Sequence, residues 1–199
     1  MPSFRQRSDK CNLLTMPSKY KISDHQRPHF ITFATVEWID SLSRPIYKDV
    51  VVESIRYCQE NKGLILYAFV IMNNHVHLIA AAREGNNLSD ILRDLKKHTL
   101  KTLLDMIQND DHTESRRNWM LLLFEAAGRK NSNNKKYQFW QQDNRPIELS
   151  TNEMMDQRLE YIHNNPVVER IVNEAEHYVY SSAINYAGGK GLLEVEFLD

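Results

Sequence analysis

The chain has 199 residues, of which 42% are hydrophobic and 26% are charged, and its formal net charge is -1. This size fits one domain with a buried core, and no apolar run is long enough to cross a membrane. Two cysteines without a Cys-x-x-Cys spacing argue against a disulfide framework and a thiolate zinc site. We therefore expect a cytoplasmic protein, with residues 1–27 forming a mobile arm and residues 28–199 forming one domain.

The charge is unevenly distributed along the chain. Residues 116–145 carry seven basic and two acidic side chains, whereas residues 146–199 carry three basic and ten acidic ones. A nearly neutral chain thus contains a basic segment and an acidic carboxyl-terminal portion. The basic segment overlaps a predicted basic insertion around residues 109–138. This distribution keeps a nucleic-acid partner open despite the overall charge.

The first part of the chain predicts a strand, a helix and a β-hairpin. His29 to Trp38 alternates β-branched and aromatic residues, as a strand does. Ile46 to Asn61 has apolar residues at helical spacing, and Gly63 stands just beyond its end. Leu64 to Ala82 predicts two strands around Asn73-Asn74, because asparagine tolerates the positive φ of a type I′ turn.

Two histidines directly follow the predicted turn. Side chains two apart in a strand share a face, so His75 and His77 point together while Val76 and Leu78 point to the opposite face. Imidazole is a common ligand of divalent metal ions, and a rigid hairpin would hold the pair in place. The alternative is two half-exposed histidines of an ordinary strand.

A long periodic segment from Leu88 to Gln108 predicts the next helix, with leucine and isoleucine on one side. Its other side carries four basic residues, namely Arg93, Lys96, Lys97 and Lys101. This face is either solvated or in contact with phosphates. Lys135 and Lys136, in a polar basic loop after a short predicted helix around Trp119 to Ala127, are further candidates for DNA contact.

The final part predicts one more strand and one more helix. Phe139-Trp140-Gln-Gln predicts a short strand or extended segment, in which we expect Trp140 to be a core residue. Ser150-Thr-Asn-Glu153 has the pattern of a capping box and predicts a helix start. Because Pro166 disfavours helical geometry in the preceding residue, we expect that helix to end at about Asn165.

Tyr161 lies off the buried stripe that we expect for this last helix, which consists of Met155, Leu159 and Ile162. A His-hydrophobe-His strand followed by a tyrosine on a helix ending at Asn-Pro resembles the single-tyrosine HUH transposases, and most of all the insertion-sequence and REP-associated tyrosine transposases. The resemblance extends from Pro28 to Leu193 and rests on the segments NHVHL, YIHNNPV and YSSAINYAGGKGLL. The chain departs from many relatives at Met72, where they have proline, and at Val167 to Arg170, where they are more basic and contain glycine.

The resemblance implies a ferredoxin-like α+β fold, in which helices pack on one face of an antiparallel sheet, in agreement with the predicted element order. It implies Tyr161 as the nucleophile, and His75, His77 and Asn165 as ligands of Mg²⁺ or Mn²⁺. A packed helix tyrosine remains the alternative for Tyr161, and a helix-end cap remains the alternative for Asn165. The implied partner is single-stranded or hairpin DNA, and a homodimer is compatible with this picture.

The function expected from these residues is metal-dependent nicking and strand transfer of single-stranded DNA at or near a hairpin, through a 5′-phosphotyrosine. A tyrosine hydroxyl ionises near pH 10, so such an enzyme needs a cation or base beside it. Two alternatives stay open. One is a catalytically silent DNA-hairpin binding protein of the same descent. The other is a small zinc hydrolase, for which the histidine pair lacks a further His or Glu at metalloprotease spacing.

Overall fold

A computed structural model describes residues 22–109, 114–130, 136–142 and 144–198. Its strands are β1 (His29–Ala34), β2 (Leu64–Ile71), β3 (His75–Ala82) and β4 (Ile147–Glu148). Its α-helices are α1 (Pro45–Lys62), α2 (Leu88–Asn109), α3 (Arg117–Arg129), α4 (Asn152–Val168) and α5 (Ala183–Tyr186). Short 3-10 turns occupy Val36–Trp38 and Ala175–His177. Within the described residues, no helix is both long and apolar enough to span a membrane.

The four strands form one antiparallel sheet in the order β2-β3-β1-β4. This order confirms the predicted ferredoxin-like α+β class. The larger core cluster lies between one face of the sheet and the helices α1 and α2, as predicted. Helix α4 differs from the prediction, because its buried Ile162 packs with Phe30, Val70 and Ile79 on the opposite face. The sheet therefore has helices on both faces, and α4 lies on the face that carries the histidines.

The hairpin is present, but its turn is not of type I′. Neither Asn73 nor Asn74 has a positive φ. Contacts with the rest of the domain bind this turn instead: the Asn73 side chain accepts a hydrogen bond from Lys48 Nζ at 2.9 Å, and the Asn74 carbonyl accepts one from the Thr35 amide at 2.8 Å. Tertiary hydrogen bonds thus fix a conformation that local asparagine preference does not predict.

The fourth strand lies later in the chain than predicted. Phe139 and Trp140 are buried in the larger core, and this segment forms only a single bridge, between Trp140 and Thr35. As expected, Trp140 is a core residue, and its Nε1 donates to Thr99 Oγ1 at 2.9 Å. Strand β4 follows Pro146 and pairs with the start of β1, where His29 lies opposite Glu148. Aromatic side chains were thus a signal for core packing here, and not for strand pairing.

Helix α4 begins one residue later and ends three residues later than predicted. Its N-cap is Thr151, whose hydroxyl accepts a hydrogen bond from the Met154 amide at 3.2 Å, and not Ser150. The helix continues through Pro166 to Val168. Pro166 lacks the amide that would donate within the helix, and its ring is buried. Asn165 is therefore inside the helix.

Both ends of the described chain contact the domain. The Ala82 amide donates to the His25 carbonyl at 2.8 Å, and Arg27 forms a 3.3 Å ion pair with Glu148, so residues 22–27 of the predicted arm lie against the sheet. Residues 1–21 of that arm lie outside the described residues. At the other end, the Glu196 amide donates to the Leu66 carbonyl at 2.9 Å, which places the carboxyl-terminal segment along the outer edge of β2.

Candidate active site

The two histidines lie at the start of β3, on the sheet face opposite the larger core. His77 pairs with Thr32 and His75 pairs with Ala34 across β1, while Val76 and Leu78 between and after them are fully buried in the larger core. The two imidazole rings lie 4.7 Å apart between centroids. Strand alternation therefore places both side chains together, as the sequence predicted.

Each imidazole is oriented by a hydrogen bond to its Nδ1. His75 Nδ1 lies 2.7 Å from Asn74 Oδ1, which can only accept, so this nitrogen carries the proton. His77 Nδ1 lies 2.8 Å from the Thr32 hydroxyl. Bonds of this kind hold metal-binding histidines in place and direct Nε2 towards the ligand. The Asn74 side chain thus orients His75.

Burial keeps both imidazoles neutral. It lowers the pKa of His77 to about 3, aided by the neighbouring His75 and Arg158. It also lowers the pKa of His75, against the opposing influence of Asn165 and Glu169. Since only the neutral imidazole binds a metal ion, both side chains are in the ligand-competent form at pH 7.

Tyr161 extends from α4 over the histidines. Its ring lies 5.2 Å from that of His77 and 5.9 Å from that of Phe30, both in edge contacts. The neighbouring Ile162 is fully buried and anchors the helix, whereas 47% of Tyr161 is exposed. Its position off the buried stripe agrees with the prediction. A tyrosine that is fixed by two ring contacts and yet open to solvent can be reached by a large substrate.

Asn165, one helical turn after Tyr161, completes the group. The residue lies close enough to His75 to favour its protonated form. Its Oδ1 is nevertheless buried and forms no hydrogen bond of ordinary geometry with any described residue. A buried amide oxygen without a partner is costly, and a bound cation would satisfy it. This orphaned atom supports the ligand interpretation of Asn165 over that of a helix-end cap.

The residues fit a hard divalent ion better than a zinc site of the metalloprotease type. Two neutral imidazoles and an amide oxygen are a donor set that Mg²⁺ or Mn²⁺ accepts. Among the residues that the structure describes, no group of three or more His, Cys, Asp or Glu side chains is arranged to hold a metal. The third His or Glu that a small zinc hydrolase would use is therefore missing from that part of the chain.

A comparison with known protein families finds one match. The family model described as "Transposase IS200 like" matches residues 29–121. The match includes β1 and both histidines and confirms the resemblance inferred from the sequence. Tyr161 and Asn165 lie beyond the matched segment.

Solved structures have a similar fold. A REP-associated tyrosine transposase bound to a REP hairpin is similar to this chain with a TM-score of 0.60 and 14% identity, covering 92% of this chain and 94% of that one. A Deinococcus radiodurans R1 protein named as a transposase candidate gives a TM-score of 0.42 and 14% identity, covering 73% and 96%. No curated protein sequence matches this chain. The first likeness supports the α+β fold.

Sequence reasoning missed two residues at the histidine pair. The ring of Phe30 stacks on His77 at 5.2 Å with an interplanar angle of 24°. The guanidinium of Arg158 lies 4.8 Å from the Phe30 ring centroid and forms no ion pair with any described residue. Arg158 precedes Tyr161 by three residues on α4, and this spacing was the one available signal. Arg158, which has no ion-pair partner among the described residues, and Tyr161 therefore both contact the Phe30 ring.

His163, to which the sequence assigned no role, is a structural residue. Its Nε2 lies 3.0 Å from Ser182 Oγ, and its ring contacts Tyr186 at 5.0 Å. Burial lowers its pKa to about 4, so the imidazole is neutral at pH 7. The residue connects α4 to the carboxyl-terminal segment and lies outside the candidate metal-binding group.

The predicted DNA-binding residues line a separate cleft of about 620 Å³ between α2 and the segment 136–142. Its basic lining consists of Arg93, Lys96, Lys97, Lys101 and Lys136. Lys135 lies outside the described residues. Two of the five form ion pairs or hydrogen bonds within the chain. Arg93 pairs with Asp90 at 2.5 Å, and Lys96 donates to the Gln141 carbonyl at 2.7 Å and to Asn144 Oδ1 at 2.6 Å. Lys97, Lys101 and Lys136 are exposed.

Proposed function

We propose that the protein is a metal-dependent endonuclease and strand transferase, which nicks single-stranded DNA at or near a hairpin through a covalent 5′-phosphotyrosine. The observation that carries the proposal is the convergence of β3 and α4. These elements are far apart in sequence. They bring the ring centroid of Tyr161 within 5.2 Å of that of His77, and they place Asn165 close enough to His75 to influence its pKa. The IS200-like family supports a DNA-processing enzyme. A cytoplasmic location is part of the proposal.

In this proposal His75 Nε2, His77 Nε2 and Asn165 Oδ1 hold one Mg²⁺ or Mn²⁺ ion. When bound, such an ion polarises a non-bridging phosphate oxygen and offsets the charge that develops on the phosphorus. The protein's own contribution is to keep these three donors in place. Asn74 and Thr32 orient the two rings, and α4 fixes Asn165 one turn from the nucleophile.

Tyr161 carries out the covalent step. Its Oη attacks the phosphorus and loses its proton to solvent, while the bond from phosphorus to the 3′ oxygen breaks and that oxygen takes up a proton. The products are a 5′-phosphotyrosine and a free 3′-hydroxyl. Since the number of phosphoester bonds is unchanged, a 3′-hydroxyl can later attack the phosphotyrosine and rejoin the strand without a nucleotide cofactor.

Arg158 supplies a cation to the same phosphate. Its guanidinium is held over Phe30 and acts on His77 electrostatically, so its charge is directed to the reaction centre. A guanidinium can donate two parallel hydrogen bonds to phosphate oxygens. A donor placed where charge develops stabilises the transition state more than the ground state. We assign to Arg158 this role of transition-state stabilisation.

The proposed partner is a DNA hairpin with single-stranded flanks. The similar REP-associated transposase is bound to a REP hairpin, and the cleft lined by Lys97, Lys101 and Lys136 offers this chain a cationic surface. The experiment incubates labelled hairpins carrying flanks of mixed sequence with protein and Mn²⁺, followed by denaturing electrophoresis. A labelled band that remains attached to protein supports the enzyme. Binding without such a band supports the silent hairpin-binding protein instead.

A further inference from the structure

An exposed tryptophan stands beside the candidate active site on a strained turn. Glu37 and Trp38 have φ angles of 53° and 54°, in the left-handed region that residues with a Cβ rarely occupy. Trp38 is 55% exposed although it is a large apolar side chain. The Asn74 side chain, which orients His75, also donates to the Trp38 carbonyl at 3.3 Å. Asn74 therefore contacts both the Trp38 backbone and the candidate metal ligand His75.

A cleft of about 360 Å³ opens next to this indole. Its lining includes Trp38, glutamine residues and two exposed charged residues of opposite sign, Lys130 and Glu37. Gln141 is fixed, because its Nε2 donates to the Thr35 carbonyl at 3.0 Å. Gln142 is exposed and forms no hydrogen bond with the described residues. A flat aromatic face, a free amide and a cation are the groups that bind a nucleotide.

We propose that Trp38 and this cleft bind one unpaired nucleobase of the DNA strand, next to the phosphate that Tyr161 attacks. The inference rests on the proposed function and adds a base-binding position to it. The Trp38 ring lies 5.8 Å from the His75 ring, so a base stacked on the indole belongs to a nucleotide adjacent to the reacting phosphate. Stacking accepts any base, whereas the Gln142 amide pairs with the edge of some bases better than others.

Two observations explain why this position takes a base and not a protein side chain. The exposed indole contacts the ring of His75, so an occupant stacked on Trp38 lies next to a candidate metal ligand. The cleft also offers the Lys130 ammonium, alongside the Glu37 carboxylate, and this cation can contact the phosphate of the same nucleotide. The contact orders the strand on one side of the phosphate and so aligns it for attack.

The test uses the Tyr161→Phe background in EDTA, so that binding is measured without cleavage. The probe is a labelled hairpin with mixed-sequence flanks, in which one flanking nucleotide at a time is abasic. We expect Trp38→Leu to weaken binding roughly 5- to 150-fold, the range for loss of one stacked base, and Trp38→Phe to retain most of the affinity. An abasic site at one flanking position should weaken DNA binding by the protein that retains Trp38. The same abasic site should not change DNA binding by the Trp38→Leu protein. Unchanged binding by Trp38→Leu overturns the inference.

The control and a second measurement separate this result from a folding defect. Trp119 on α3 is 50% exposed and lies more than two helical turns from the cleft-lining Ala127, so Trp119→Leu should bind normally. The second measurement uses protein that retains Trp38 and a hairpin with 5-iododeoxyuridine in its flank. Photocrosslinking should label the peptide that contains Trp38. Crosslinking only to other peptides overturns the inference.

Base preference gives a third and independent readout. Selection of flank sequences should show a preference at one position that Gln142→Ala abolishes while overall affinity falls little. If the base preference is unchanged in Gln142→Ala, Gln142 does not select the base and this part of the inference is wrong. Failure of the proposed function would be visible separately, as absence of the phosphotyrosine product from the chain with Tyr161, while the binding results at Trp38 stand.

Discussion

The ring of Tyr161 meets the ring of His77 in an edge contact at 5.2 Å and 66°. The two residues come from α4 and β3, which touch on the sheet face away from the larger core. Phe30 contacts both rings from β1, at 5.9 Å and 5.2 Å. A candidate nucleophile and a candidate metal ligand therefore share one rigid aromatic support, and the effects of replacing them can be predicted separately.

Tyr161→Phe should abolish covalent attachment to DNA and leave hairpin binding intact. Only the hydroxyl is lost, and the ring contacts with His77 and Phe30 remain. The free energy of unfolding should change by less than about 0.5 kcal/mol, as for other surface substitutions. The measurement is denaturing electrophoresis of labelled hairpin after incubation with Mn²⁺.

Tyr57→Phe is the matched control, because Tyr57 is similarly exposed but lies on α1, on the other side of the sheet. This variant should form the covalent product at the normal rate. A protein-attached band from Tyr161→Phe would place the nucleophile at another residue.

His75→Ala and His77→Ala should each weaken Mn²⁺ binding by at least about tenfold without unfolding the protein. Both side chains lie outside the larger core, whose cluster contains Val76 and Leu78 instead. Titration calorimetry measures the affinity and circular dichroism the fold. His163→Gln is the control, because His163 contacts Ser182 and should leave Mn²⁺ binding unchanged. If His75→Ala and His77→Ala bind Mn²⁺ as tightly as His163→Gln does, the proposed metal site is wrong.

Arg158→Gln should slow single-turnover nicking roughly 100-fold, the usual cost of one donor to a charged transition state. Hairpin affinity should fall much less, since the contact is strongest in the transition state. Arg158→Lys should restore part of the rate, because the charge returns without the planar pair of donors. Arg83→Gln is the control, as Arg83 is exposed and pairs with Glu196. Equal losses of rate and affinity in Arg158→Gln would indicate simple phosphate binding.

The sequence was sufficient to predict where the side chains of the histidine pair and Tyr161 lie, because their placement depends on local periodicity. Strand alternation alone sets the shared face of His75 and His77, and helical spacing alone sets Tyr161 apart from the buried Ile162. The ferredoxin-like element order followed from the same patterns.

Features that depend on tertiary packing could not be predicted in this way. Phe139 and Trp140 have side chains typical of strands, yet both are buried in the larger core. The strand that pairs with β1 is instead the short β4, which follows Pro146. The turn at Asn73 is set by Lys48 from another helix. The positions of Phe30 and Trp38 beside the histidines depend on how β1 and its following turn pack against β3, which no local pattern records.

Thr151→Ala should destabilise the protein by about 1 kcal/mol, whereas Ser150→Ala should have almost no effect. The Thr151 hydroxyl caps α4 through the Met154 amide, while Ser150 Oγ lies 3.8 Å from the Met154 sulfur, a weak contact. Thr151→Ser should retain most of the stability because it keeps the hydroxyl. Urea unfolding measures all three variants. Greater loss from Ser150→Ala would restore the cap that the sequence pattern predicted.

The last prediction concerns how a nearly neutral protein holds DNA. Counterion release makes the logarithm of affinity fall with the logarithm of salt concentration by about 0.7 for each phosphate contacted on a single strand. Lys97 and Lys101 are exposed at the basic cleft, so the double change Lys97→Gln and Lys101→Gln should flatten this slope by roughly 1.4. Lys96→Gln should act mainly on stability, because Lys96 Nζ bonds the Gln141 carbonyl. Lys190→Gln, in the acidic carboxyl-terminal portion, is the control. An unchanged slope in the double variant would mean that this cleft is a solvated surface and that DNA binds elsewhere.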